Sequence, residues 1–171
     1  DWMRAITGKE FIQVFGNTIF SSLIATATAI VFGFLFAYGI NYTNMPCKRF
    51  FQVVALLPTM APSVVTGLAF IMLFGRRGFI TWQLLHLKVD LYGPFGLWVA
   101  QTIAFFPLAY ITISGVLKSI SPNLELAAQN LGARGWYLFR TVTLRLATPG
   151  LASAFLLVAI NSLADFGNPM L

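Results

Sequence analysis

Residues 17–40 read NTIFSSLIATATAIVFGFLFAYGI, 24 residues without one charged side chain. As a helix rising 1.5 Å per residue this run is about 36 Å long, enough to cross a hydrocarbon core of about 30 Å. Three more stretches share its character: residues 50–74, 93–117 and 146–164, also free of charge. In lipid, backbone N–H and C=O groups must pair within their own segment, so such runs become helices. A membrane β-barrel would show alternating stretches of about ten residues instead, and these runs do not alternate. Composition agrees, with 58% hydrophobic and 9% charged residues, against about 25% charged in soluble domains. The fold class expected is therefore all-α and integral to the membrane, a polytopic transmembrane helix bundle.

Working outward, the chain begins at Asp1 without an initiator Met or a basic–apolar–small signal pattern. It ends at Leu171, just past the fourth span. It reads as an internal piece of a longer polytopic protein. The single cysteine, Cys47, excludes an internal disulfide framework. The formal charge is +6. Nucleic-acid binding is a poor use for it, because no soluble basic face exists to carry it. Lys48 and Arg49 follow span one, and Lys118, Arg134, Arg140 and Arg145 lie between spans three and four, with Glu125 the acid among them. Should these two loops share a side, six basic residues stand there against Arg4, Lys9, Arg76, Arg77 and Lys88 on the other. Counting Lys and Arg alone, this is a weak vote for an inside location of the 118–146 segment.

Residues 1–16 read as an interfacial lead-in, with Phe11, Ile12, Val14 and Phe15 beside Arg4, Lys9 and Glu10. Within span one, Ser21, Ala25, Ala29, Gly33 and Ala37 recur at four-residue steps. Such a row lets another helix backbone approach closely, the way helices associate in lipid. Span two holds Pro58 and Pro62 in Leu57-Pro-Thr-Met-Ala-Pro-Ser. Each removes a donor and crowds the carbonyl one turn back, so a kink or opened helix is expected. A pathway-lining hinge and a buried structural kink both fit. Span three holds Pro107, where another kink is expected. The loop 75–92 carries Arg76, Arg77, Trp82, His86, Lys88, Asp90 and Tyr92. Its aromatics, with Trp98, suit a membrane–water interface. His86 is the only histidine, and alone it makes no metal site; no metal or cofactor is expected on this chain.

One segment, residues 118–146, is polar where a lipid-embedded chain has no folding need of it. Ser121 and Pro122 suit the N-cap and first position of a helix, and Glu125 favours its dipole. Leu124, Ala127, Ala128 and Leu131 form one apolar stripe. Gly132 stands where a left-handed C-terminal cap belongs. A second helical run follows, with Trp136, Phe139, Val142 and Leu146 on one side. A helix lying on the membrane surface accounts for the amphipathicity but not for the compact turn. An element docking onto a partner in water accounts for both.

These residues resemble the EAA loop of binding-protein-dependent ABC transporter permeases. That pattern is Glu-Ala-Ala, three residues, Gly, nine residues, Ile, one residue, Leu-Pro. Ala127, Ala128, Gly132 and Leu144 match it, and Val142 is a conservative replacement. Leu126 stands in place of the glutamate, with Glu125 one position earlier, and Arg145 in place of the proline. Asn17-Thr18 opening span one and the double-proline span two are similar to the same family. Ser162-Leu-Ala-Asp-Phe-Gly-Asn-Pro169 resembles its iron(III)-type branch, in which two transmembrane halves are often fused.

The resemblance implies a permease of the bacterial inner membrane, with 75–92 a periplasmic loop and 118–146 a cytoplasmic coupling loop. Glu125, Ala127, Ala128, Gly132, Val142 and Leu144 would then couple to a cytoplasmic ABC ATPase dimer, which binds the ATP and Mg and does the hydrolysis. A periplasmic binding protein would deliver the solute, and a second permease half or subunit would complete the pathway. Iron(III) leads as cargo, ahead of 2-aminoethylphosphonate and polyamines. Pro58, Pro62, Asn161 and Asp165 are the pathway or gating candidates, since ionisable groups at membrane depth are functional candidates. A membrane enzyme would need a cluster of His, Asp, Glu or Cys facing one leaflet. A proton-coupled carrier would need charge near the bilayer middle. Neither is present, although charge-free spans do not speak against every non-ABC channel, and no phosphate-cradling loop gives the chain hydrolysis of its own.

Overall fold

The computed structural model describes residues 9–43, 45–60, 63–75, 79 and 94–165. Regular structure among them is helical throughout: α1 (Lys9–Tyr42), α2 (Lys48–Leu56), a 3-10 turn (Leu57–Met60), α3 (Ser63–Phe74), α4 (Pro94–Ser119), α5 (Pro122–Asn130), α6 (Gly135–Leu138), a π-turn (Phe139–Thr143) and α7 (Leu144–Leu163). Three runs, Phe11–Tyr42, Phe95–Ser119 and Gly135–Leu163, are long and apolar enough to span a membrane, and the bent α2–α3 pair makes a fourth if counted as one span.

The boundaries differ from the sequence expectation in ways that have physical reasons. Residues 9–16 of the expected lead-in are continuous with span one: α1 is one helix from Lys9, because no proline intervenes and a lone Gly16 costs only about 1 kcal/mol. Span two is not a single kinked rod. Pro58 ends regular α-helix, and the axes on either side of the break stand 113° apart. The Thr59 hydroxyl donates to the Leu56 carbonyl at 2.6 Å, which satisfies an acceptor that α2 leaves open. Span three runs as one helix through a fully buried Pro107, since packing on neighbouring helices makes proline tolerable there. The fourth span starts earlier than residue 146, because α6 and the π-turn feed α7 without a break. Residues 1–8, Pro62, the basic and aromatic residues of the 76–92 loop, and 166–169 of the closing motif lie outside the described residues.

Helix α4 is the centre of the packing. Its contacts with α1 advance together along both chains: Thr28 shares a 2.8 Å hydrogen bond with Thr102, Gly33 faces Ala109, and Asn41 donates to Ser114 at 2.9 Å. The two helices are therefore parallel. Helix α7 runs the other way, with Gly150 against Val116 and the Ser22 hydroxyl on the Ser162 carbonyl.

Small residues make both seams. Ala25, Ala29, Gly33 and Ala37 are buried on α1, while Ser21 is half-buried at the row's end. A Cβ on Gly33 would lie 2.8 Å from Ala109 Cβ and 3.0 Å from the Tyr110 nitrogen. A second row, Ala147, Gly150, Ala154, Val158 and Ser162, is buried on α7. Large apolar side chains such as Phe20, Phe32, Leu156 and Ile160 face outward, the inverse of a water-soluble bundle and the arrangement lipid favours.

Candidate functional site

Because α1 and α4 are parallel and α7 antiparallel, the C-termini of α1 and α4 and the start of α6 gather at one end. The 118–146 segment lies there, and so do Lys48 and Arg49, a short loop beyond Tyr42. Lys48, Arg49, Lys118, Arg134, Arg140 and Arg145 thus share one end of the molecule, with Glu125.

Helix α5 opens with Ser121 at its N-cap and Pro122 at N1. Ser121 caps by backbone only: its hydroxyl makes no capping bond, and its carbonyl accepts the Leu124 N–H at 3.1 Å. At the other end Gly132 has φ +90. The Gly132 N–H reaches the Gln129 carbonyl at 2.9 Å and the Ala133 N–H the Ala128 carbonyl at 3.0 Å. These are the two bonds of a Schellman cap, which needs the left-handed residue between them. Gly135, the first residue of α6, also has a positive φ, +53, and α6 leads back into the bundle.

The apolar stripe of α5 does not pack inward. Leu124, Leu126 and Ala127 are exposed, Leu131 is 90% exposed, and beyond the turn Trp136 is 72% exposed with Tyr137 beside it. Ala128, Val142 and Leu144 are half-buried. The inward contact of α5 is polar: Glu125, half-buried, accepts a hydrogen bond from the Thr143 hydroxyl at 2.9 Å, with the Tyr42 phenol close by. Phe139 completes the docking, with ring centroids 5.0 Å from Tyr38 and 6.0 Å from Phe34. The segment is a short helix clipped to the bundle by one carboxylate and one aromatic, with its leucines and Trp136 left outside.

The pathway candidates are not brought together. Pro58 lines an apolar cavity of about 550 Å³ whose walls come from α1, the α1–α2 loop, the 3-10 turn and α4, among them Phe32, Phe36, Met45 and Phe106. Asn161 sits on an exposed face of α7, where its amide donates to the Leu157 carbonyl at 2.8 Å. Asp165 is half-buried just beyond α7, at the end remote from α5. Sequence reasoning missed Thr143 and Tyr42: Thr143 lies inside the polar segment and Tyr42 at the end of the first span, and no spacing pairs either with Glu125.

The model of the family described as "binding-protein-dependent transport system inner membrane component" matches residues 29–167, a stretch holding the C-terminal part of α1, the Schellman-capped insert and all of α7. The chain belongs to this family. The permease resembles a putative ferric transport system permease protein of Haemophilus influenzae, 34% identical over 98% of this chain and 27% of that protein. A ferric transport system permease protein of Actinobacillus pleuropneumoniae is 35% identical over 96% of this chain and 25% of its own length. The molybdenum transport system permease protein of Escherichia coli is 34% identical over 95% of the chain and 71% of its own length. The chain thus spans about a quarter of the ferric relatives it matches. It is a multi-pass component of the inner membrane.

Proposed function

We propose that this permease is part of the transmembrane unit of an ATP-driven importer, and that the exposed surface carrying Leu124, Leu131 and Trp136 docks into a groove of a cytoplasmic ABC ATPase. The observation that carries this is the exposure of large apolar side chains on a capped helix at the basic end of the molecule. Exposed Leu and Trp facing water are costly unless covered, and a cluster of them marks an interaction surface. The positive-inside rule favours the cytoplasm for an end that gathers six Lys and Arg residues, the side on which an ATPase works. ATP binding draws two ATPase subunits together, carries the docked helices with them, and tilts the spans between inward-facing and outward-facing states. Solute comes from a periplasmic binding protein, and a second permease half or subunit closes the pathway.

Iron(III) is the proposed cargo, supported by the names of the two ferric relatives and the Ser162–Pro169 motif. Molybdate and sulfate are the specific alternatives, because permeases bearing those names are similar to this chain over nearly its whole length. The docking test is a disulfide crosslink in membranes, with Leu131→Cys on a Cys47→Ser background and a cysteine in the ATPase groove. An ATP-dependent crosslink supports the reading. Labelling of Leu131→Cys only from the outer face overturns it. Uptake of labelled iron(III), molybdate and sulfate by cells carrying the transporter as their sole route separates the cargoes.

A further inference from the structure

Glu125 belongs by sequence with the residues that would touch the ATPase, yet its carboxylate turns the other way. It accepts from Thr143, which is 3% exposed, at 2.9 Å, and Tyr42 of the last turn of α1 stands beside it. One side chain of α5 therefore bonds the start of the fourth span and neighbours the end of the first. Thr143 is itself the last residue of the π-turn, where the Leu144 N–H reaches back to the Phe139 carbonyl. A π-turn inserts one residue into a helix and loosens its ladder, a feature frequent at functional sites. Tyr42 extends a stacked column with Tyr38, ring centroids 5.0 Å apart, and Tyr38 in turn meets Phe139 edge-on. The carboxylate thus sits where α1, α5 and the π-turn converge.

We propose that Glu125, Thr143 and Tyr42 form a force-bearing strut: the carboxylate is a positioning group that passes displacement of the docked helix to spans one and four, and is not itself an ATPase contact. The inference rests on the docking reading above. A helix attached to the bundle only through residues 120–121 and the 131–134 turn could be pulled by a partner without moving any span. The Thr143 hydrogen bond to a half-buried carboxylate removes that slack, since bonds to charged groups are about twice as strong as neutral ones. Docking and transmission are then carried by opposite faces of α5, the leucines outward and the carboxylate inward.

The test uses the full-length transporter with its ATPase, reconstituted in vesicles, and reads the Leu131→Cys crosslink separately from the ATP hydrolysed per solute moved. Thr143→Val removes the donor with little change of shape, Tyr42→Phe removes the neighbouring phenol hydroxyl, and Thr143→Ser retains the donor. Thr143→Val is expected to crosslink as wild type while spending about tenfold more ATP per solute, the weight of one hydrogen bond to a charged group, and Tyr42→Phe to shift the ratio in the same direction. Thr143→Ser is expected to restore the ratio. A wild-type ratio in both Thr143→Val and Tyr42→Phe overturns the strut, as does a Thr143→Ser protein as uncoupled as Thr143→Val. Loss of the crosslink in the two hydroxyl variants would make the network part of the docking surface, which also overturns it. Failure of the crosslink in the otherwise wild-type protein would bring down the docking reading first, and the strut with it.

Discussion

Replacing Gly33 with alanine tests the packing of the first span against the third at its tightest point. The new methyl would lie 2.8 Å from Ala109 Cβ and 3.0 Å from the Tyr110 nitrogen, whereas carbon atoms rest at about 3.5–4.0 Å. The neighbours are a Cβ and backbone, so no rotamer change can make room and the helices must part locally by about 1 Å. Overpacking of this kind costs about 1–3 kcal/mol. Alanine in place of a mid-helix glycine also returns about 1 kcal/mol through backbone entropy, which would blur the result in isolation. Gly115 supplies the control, because a Cβ there meets nothing within 4 Å. The propensity gain cancels between Gly33→Ala and Gly115→Ala, so the first should be the less stable by about 1–3 kcal/mol. Reversible unfolding of the full-length protein in mixed detergent micelles gives the comparison. Equal stability of the two variants would refute the close approach of α1 to α4.

Gly150→Ala should be destabilising by a similar 1–3 kcal/mol, since its Cβ would fall 2.3 Å from the Val116 methyls; here the obstacle is a side chain, so Val116→Ala should rescue it, and thermal stability of the double variant checks this. Gly132→Ala forces an L-residue to φ +90 at about 1–2 kcal/mol, and Gly132→Asp should leave the protein in the membrane while solute uptake falls; uptake at the wild-type rate would refute a role for the turn. Leu131→Asp puts a charge on the outermost apolar side chain of α5 and should abolish co-purification of the ATPase without altering the amount of permease in the membrane. Thr26→Val should be neutral or stabilise by about 1 kcal/mol, because the Thr26 hydroxyl is buried with no hydrogen-bond partner, and loss of stability in the same unfolding assay would argue for a hidden partner.

The helical class was legible from residues 17–40 alone, because length and absence of charge leave lipid-embedded backbone one solution. The row from Ser21 to Ala37 announced a close contact, but which helix fills it depends on how the chain turns, and α4 could not be read from α1. The partner row from Ala147 to Ser162 carried the same spacing and went unread because Val158 interrupts its smallness. Pro58 advertised a break, though not its size, since the angle is set by what lies on either side. The insert is the instructive case. Periodicity assigned Leu124, Ala127, Ala128 and Leu131 to one face, and that face does lie on one side of α5. Which side meets the bundle is decided by Thr143 and Tyr42, distant in sequence, and they select the carboxylate. An apolar stripe identifies the surface to be covered, not the molecule that covers it.

The small-residue seam of α1 also bears on how the permease moves. Where α1 meets α4 at Gly33, only the Ala109 Cβ and backbone stand between the helices. Such a contact has no spare rotamers through which to yield, and sliding one helix along the other would drive backbone over a Cβ. Those two long helices therefore travel as one solid piece, like the blade of an oar. Bending is left to the places where the helical ladder is already open, the 3-10 turn at Leu57–Met60 and the π-turn at Phe139–Thr143.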